Sequence, residues 1–260
     1  MKLLIGVLVL YLGAIGYLYW SQDQQIFPAH LVEKNERFSG ENIDAVSLKN
    51  EDGTVLEGVY RHEDEQSEAG IILYFGGNAD DATRFVLHTK ALQGYEIVAF
   101  NYRGYGNSTG KPSEEALFHD ALHIYDTYAK GRKVYLVGRS LGTGVATYLA
   151  SQRVVDGLVL LTPYDSIVSI AKMKYPFFPI DLLLKNRFES VNYLPNVKSK
   201  IAVFEVENDQ TIAHYHLEKL MEQMPRKPLH VIFTNTTHGK ILEHPAFVKE
   251  LQKTLGMMDE

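Results

Sequence analysis

Residues 133–151 read Lys-Val-Tyr-Leu-Val-Gly-Arg-Ser-Leu-Gly-Thr-Gly-Val-Ala-Thr-Tyr-Leu-Ala-Ser, and the change of character within this stretch decides the fold. Lys133–Val137 is a short apolar run of the kind expected from a strand covered on both faces. Thr143–Ser151 is predicted as a helix. Between them Gly138-Arg139-Ser140-Leu141-Gly142 forms a Gly-x-Ser-x-Gly turn. A serine on a sharp strand-to-helix bend has its Oγ exposed beside a helix N-terminus, which favours developing negative charge. Gly138 and Gly142 remove Cβ atoms where such a bend would clash, and Gly144 and Ala146 let the helix approach the sheet. A second match, Gly106-Asn107-Ser108-Thr109-Gly110, runs into Pro112 with no helix opening behind it, so Ser108 reads as a loop residue.

Outward from this turn, Ile71–Phe75, Glu96–Phe100, Gly157–Leu161, Ile201–Val206 and Leu229–Phe233 are further continuous apolar runs. Helical patterns occupy Asp80–Gln93, Ser113–Lys130, Ile212–Met224 and Pro245–Leu255. Alternation of strand and helix predicts an α/β domain with a mostly parallel central sheet, helices on both faces and right-handed crossovers. Ala45–Lys49 and Thr54–Tyr60, around Asn50-Glu51-Asp52-Gly53, are predicted as a leading hairpin.

Several segments recur together in a known order: Tyr74-Phe75-Gly76-Gly77-Asn78-Ala79, Asn101-Tyr102-Arg103-Gly104-Tyr105-Gly106, Gly110-Lys111-Pro112-Ser113, the Ser140 turn and Thr162-Pro163-Tyr164-Asp165-Ser166. In this the chain resembles the α/β-hydrolase superfamily, in particular a branch of small, N-terminally anchored hydrolases without a large cap domain. Some relatives in that branch remove acyl groups from lipids or proteins. The resemblance spans most of Ile71–His238. It departs at Gly76-Gly77-Asn78, where relatives usually carry His-Gly-Asn.

A serine hydroxyl needs a positioned base, and the base an orienting carboxylate. In this fold the order is serine, acid, histidine. His214 and His216 fall early in a helix and His230 inside a strand. His238 follows the last strand on a loop, which favours it over His244 as the base. For the acid, Asp209 follows the strand Ile201–Val206, where the superfamily resemblance places it. Asp165 is the alternative acid, or else the cap of a helix near Ser166; Glu205 and Glu207 stand behind both. The backbone N–H of Leu141 and, by resemblance, that of Asn78 are expected to form the oxyanion hole.

Leu3–Trp20 is an uncharged apolar run long enough to cross a hydrocarbon core of roughly 30 Å, with Tyr17, Tyr19 and Trp20 at its far end. Residues 1–22 are therefore expected to anchor residues 23–260, a single hydrolase domain. Lys2 precedes the run, and Lys34 is the next basic residue after it. This distribution predicts an extracytoplasmic, periplasmic or lumenal catalytic domain. A cleaved signal peptide and a secreted protein are the alternative.

The 260 residues carry a formal net charge of −6, which gives no basic footprint for nucleic acid, and they contain no cysteine, which excludes disulfides and thiolate chemistry. His119-Asp120-Ala121-Leu122-His123 has the i, i+4 histidine spacing of a zinc helix without its glutamate, and reads as a solvated face. No metal and no cofactor is expected. Met173–Leu184, rich in aromatic and aliphatic residues, is predicted as a helix packed over the sheet, with an acyl-pocket wall or a bilayer contact as alternatives. The expected activity is hydrolysis of a small-molecule or lipid acyl ester or thioester through an acyl-enzyme on Ser140. An anchored serine peptidase and a non-catalytic binding or scaffold protein are the competing readings.

Overall fold

The computed structural model describes residues 1–34, 39–40, 42–63 and 70–260. Its strands are β1 (Ile43–Lys49), β2 (Val55–Arg61), β3 (Gly70–Phe75), β4 (Tyr95–Phe100), β5 (Val134–Arg139), β6 (Gly157–Leu161), β7 (Lys200–Val206) and β8 (Leu229–Phe233). They form one sheet in the order β1-β2-β4-β3-β5-β6-β7-β8. β1, β2 and β4 pair antiparallel, and every neighbour from β4 through β8 is parallel. The predicted hairpin is β1–β2, closed by Asn50–Gly53.

The helices are α1 (Lys2–Ile26), α2 (Phe85–His88), α3 (Glu114–Tyr128), α4 (Leu141–Gln152), α5 (Ile167–Lys174), α6 (Ile180–Leu183), α7 (Ser190–Tyr193), α8 (His214–Glu222) and α9 (Phe247–Asp259). One apolar cluster joins the sheet to Leu117 and Phe118 of α3, Val145 and Leu149 of α4 and Leu220 of α8. A second joins the other face to Phe85 of α2 and Leu251 and Leu255 of α9. Burial on both faces is why the central strands read as unbroken apolar runs. The strand order turns back at β3, which lies between β4 and β5; the carboxyl ends of strands beside such a switch point form a crevice.

Two expectations need correction. The helix expected over Asp80–Gln93 is a 3₁₀ turn at Ala82–Arg84 and the single α-turn α2. The buried Arg61 guanidinium from β2 takes the carbonyls of Thr89, Leu92 and Tyr95 at 2.6, 3.0 and 3.0 Å, so the chain leaves the helix there. Met173–Leu184 does not form one helix over the sheet. Pro176 and Pro179 separate the end of α5 from α6, and this cap packs against α1.

Candidate active site

β5 delivers the chain into the bend at full sheet depth, and α4 leaves it at once. Ser140 is held at φ 48°, ψ −117°, in the left-handed half of the map that a non-glycine residue occupies only when its surroundings impose it. Its amide donates to the Leu161 carbonyl at 2.9 Å, and its carbonyl accepts from Thr143 N at 2.9 Å. A Cβ on Gly142 would overlap the Phe75 carbonyl, and one on Gly138 the Gly142 carbonyl, so both turn glycines are sterically required.

Ser140 Oγ lies 2.9 Å from His238 Nε2. His238 Nδ1 lies 2.6 Å from Asp209 Oδ2, with only 12% and 11% of the two side chains exposed. The other oxygen of Asp209 accepts the Thr211 and Ile212 amides at 2.8 and 2.9 Å. Burial works against ionisation of Asp209. The hydrogen bond and charge of His238, with the two amides, outweigh it and hold the carboxyl below the usual range. An ionised Asp209 favours the tautomer with Nδ1 protonated, which leaves Nε2 as an acceptor facing Ser140 Oγ.

The competing residues are engaged elsewhere. Asp165 is buried, accepting the Ser166 amide and lying 2.8 Å from His216 Nδ1. Ser166 caps α5 by accepting Ser169 N at 3.0 Å. Glu205 sits between His214 and His230, each at 2.7 Å, and Glu207 accepts from Asn208. His244 accepts the Ala246 amide. Ser108 bonds the Asn101 carbonyl and the Glu57 amide, a structural loop role. His119 is exposed, but Asp120 and His123 depart from the expected solvated face: Asp120 is buried against Arg103 at 2.6 Å and His123 is engaged by Asn50. Among the described residues no group of His, Asp and Glu is arranged to hold a metal ion.

Asn78 and Leu141 line the same cavity as Ser140 and His238. Among the described residues neither backbone amide donates to another protein group. The loop carrying Asn78 is fixed from below by two buried phenols: Tyr102 Oη donates to the Gly76 carbonyl and Tyr105 Oη to the Asn78 carbonyl, both at 2.8 Å. Burial raises both phenols well above their ordinary range, so they remain donors. The sequence shows these tyrosines inside a family motif but not their role, because their partners lie 26 and 27 residues away along the chain. Nor does it show that of Arg139, whose guanidinium spans Asp80 at 3.0 Å and the Gly239 carbonyl at 2.7 Å.

The cavity encloses about 370 Å³. Ile170 of α5, Ile180 and Leu183 of α6, Ile212, and Leu18 and Ile26 of α1 supply apolar walls around the Ser140 floor.

Residues 75–203 match the family model described as alpha/beta hydrolase fold. The chain is 26% identical over 246 residues to an uncharacterized protein of Mycobacterium tuberculosis, covering 90% of this chain and 87% of that one. It is 32% identical over 205 residues to the lysophosphatidylserine lipase ABHD12 of Xenopus tropicalis, covering 68% of this chain and 52% of the relative, so it spans about half that protein's length. Among solved structures, the Pyrococcus furiosus esterase Pf2001 superposes with a TM-score of 0.63 at 18% identity, over 87% of this chain and 98% of the esterase; that likeness concerns the fold alone.

Proposed function

Because this chain belongs to the α/β-hydrolase superfamily, we propose that it is a serine hydrolase that cleaves carboxylic ester or thioester bonds through an acyl-enzyme on Ser140. The observation that carries the reading is the continuous relay from Ser140 Oγ through His238 to Asp209, at 2.9 and 2.6 Å. In the first half-reaction His238 Nε2 takes the hydroxyl proton while Oγ bonds to the acyl carbon. The carbonyl oxygen gains negative charge, which the Asn78 and Leu141 amides receive at the N-terminal end of α4. The protonated imidazole, stabilised by Asp209, then gives its proton to the departing alcohol or thiol. Water attacks the acyl-enzyme by the same route in reverse, with His238 as its base.

The cavity's aliphatic walls support an acyl group as the part of the substrate that enters it. The lipase name of the Xenopus relative agrees with that class of substrate. α1 is apolar and long enough to cross a membrane, and we assign it to anchoring the domain, with the catalytic side extracytoplasmic as the placement of Lys2 implies. A panel of nitrophenyl esters of increasing acyl length tests the reading. Wild type should turn over the longer acyl esters with higher kcat/KM than acetate, and Ser140→Ala should turn over none. Equal hydrolysis by the two proteins would refute it.

A further inference from the structure

α1 is more than a tether. One of its faces, Tyr11, Ala14, Ile15, Leu18, Gln22 and Ile26, recurs at helical spacing and is turned toward the rest of the chain, with Tyr19, Asp23 and Gln25 adding contacts at its margins. Tyr11 Oη donates to the Phe177 carbonyl at 2.8 Å, and its ring stacks on Phe178 at 5.5 Å. Gln22 is buried, donating to the Leu183 carbonyl and accepting the Lys185 amide. Tyr175 Oη donates to Gln25, and Asn186 to Asp23. The loop between α5 and α6 thus runs alongside α1 from Tyr11 to Gln25. Phe177 and Leu182 point away from all of this, at 83% and 84% exposure.

Helix length fixes the depth of this cap. Leu3–Leu10, the part of α1 beyond the cap, measures about 12 Å at 1.5 Å per residue. A hydrocarbon core is roughly 30 Å thick. Crossing it therefore requires the Tyr11–Trp20 half as well, and the polar run Ser21-Gln22-Asp23-Gln24-Gln25 cannot substitute for it. The cap lies along one side of that half, reaching it at Tyr11 through Phe177 and Phe178 and at Tyr19 through Lys185. The ammonium of Lys185 lies 4.2 Å over the ring of Tyr19, which sets a cation and an aromatic pair at the headgroup end of the span. Within hydrocarbon a free phenol is costly, and the bond from Tyr11 to Phe177 satisfies it.

We propose that the α5–α6 cap is immersed in the lipid leaflet beside α1, with Phe177 and Leu182 among the acyl chains, and that the catalytic cavity opens at leaflet depth. Leu18 and Ile26 of α1 then form the wall along which an acyl chain passes from the bilayer to Ser140, without crossing water. Immersion of the cap stands on geometry alone; delivery of a substrate to Ser140 rests on the serine-hydrolase reading above.

The test uses the full chain in phosphatidylcholine nanodiscs. Trp20, the single tryptophan, is replaced by Phe, and Phe177→Trp supplies a reporter at a site exposed enough to accept it. The expected result is at least twofold quenching by lipids brominated in mid-chain, with little quenching by acrylamide in water. Ready quenching by acrylamide would place the cap in water, and shielding from both quenchers would mean that protein covers it; either overturns the proposal. In a second arm, Phe177→Asp combined with Leu182→Asp should lose about tenfold in turnover of a long-chain ester held in vesicles and keep its rate on a soluble short-chain ester. Loss on neither substrate contradicts lateral delivery. An inactive wild type would defeat the hydrolase reading and leave the fluorescence result to decide immersion.

Discussion

Arg139 Nη2 donates to the Gly239 carbonyl at 2.7 Å, joining the residue before Ser140 to the residue after His238. Its Nη1 lies 3.0 Å from Asp80, two residues after Asn78, and Asp80 in turn accepts from Tyr74 at 2.7 Å. One planar guanidinium therefore links the Ser140 bend, the His238 loop and the loop that carries Asn78. Replacing it with Ala is expected to lower kcat by about 10- to 100-fold with little change in KM, because a small misplacement of reacting groups is costly and the acyl pocket is untouched. Lys should restore little of this, since an ammonium lacks the fork that reaches both partners. Steady-state kinetics of the two variants on one soluble ester check the split.

Asp209 and Asp165, each set behind one histidine, should separate cleanly by mutation. Asp209→Asn leaves the ring unable to hold the required tautomer and should reduce kcat by roughly 10⁴-fold while the protein stays folded. Asp165→Asn should leave kcat within about threefold of wild type and cost about 2 kcal/mol of stability, since it weakens the buried contact with His216. Parallel measurement of kcat and urea midpoints assigns each residue to its role.

Stability should fall in acid for a stated reason. Burial opposes ionisation of Asp209 and of Asp165, but the histidine and backbone contacts of each prevail, so both carboxyls sit below their ordinary range in the folded chain. A folded-state value below the unfolded one, about 3.9, contributes stability that is present above that pH and is lost as pH falls through the folded value. Urea unfolding at pH 7 and pH 3.5 should show the decline. Asp165→Asn should show a shallower one.

Tyr105→Phe removes the donor to the Asn78 carbonyl and leaves the ring packing. The expected loss is about tenfold in kcat, less than the roughly 10²- to 10³-fold that follows when an oxyanion donor is lost outright. Ser108→Ala, in the second Gly-x-Ser-x-Gly match, should retain catalysis. Comparing the rates of these two variants separates the loop proposed to align an oxyanion amide from the loop that merely resembles a nucleophile turn.

What the sequence disclosed follows the range of the forces involved. The Ser140 bend was legible because its strand, glycines and helix are contiguous; His238 stood out on a loop after the last strand, and Asp209 was singled out from Asp165 only by the family resemblance, since both follow apolar strands. The helix expected over Asp80–Gln93 failed at Thr89, where Arg61, 28 residues earlier, takes the carbonyls that a longer helix would have used internally. Met173–Leu184 was misplaced for a similar reason: its packing partner is α1, more than 150 residues away. The roles of Tyr102, Tyr105 and Arg139 were hidden because a local pattern does not reveal which distant carbonyl a buried donor meets.

The most direct trial of the central claim is covalent labelling of the full chain with a fluorophosphonate probe, read by mass spectrometry of the peptide that contains residues 139–153. The account predicts one adduct on Ser140, strongly slowed in His238→Ala and absent in Ser140→Ala. An adduct that persists in Ser140→Ala, or a native protein that takes up no probe, would contradict it.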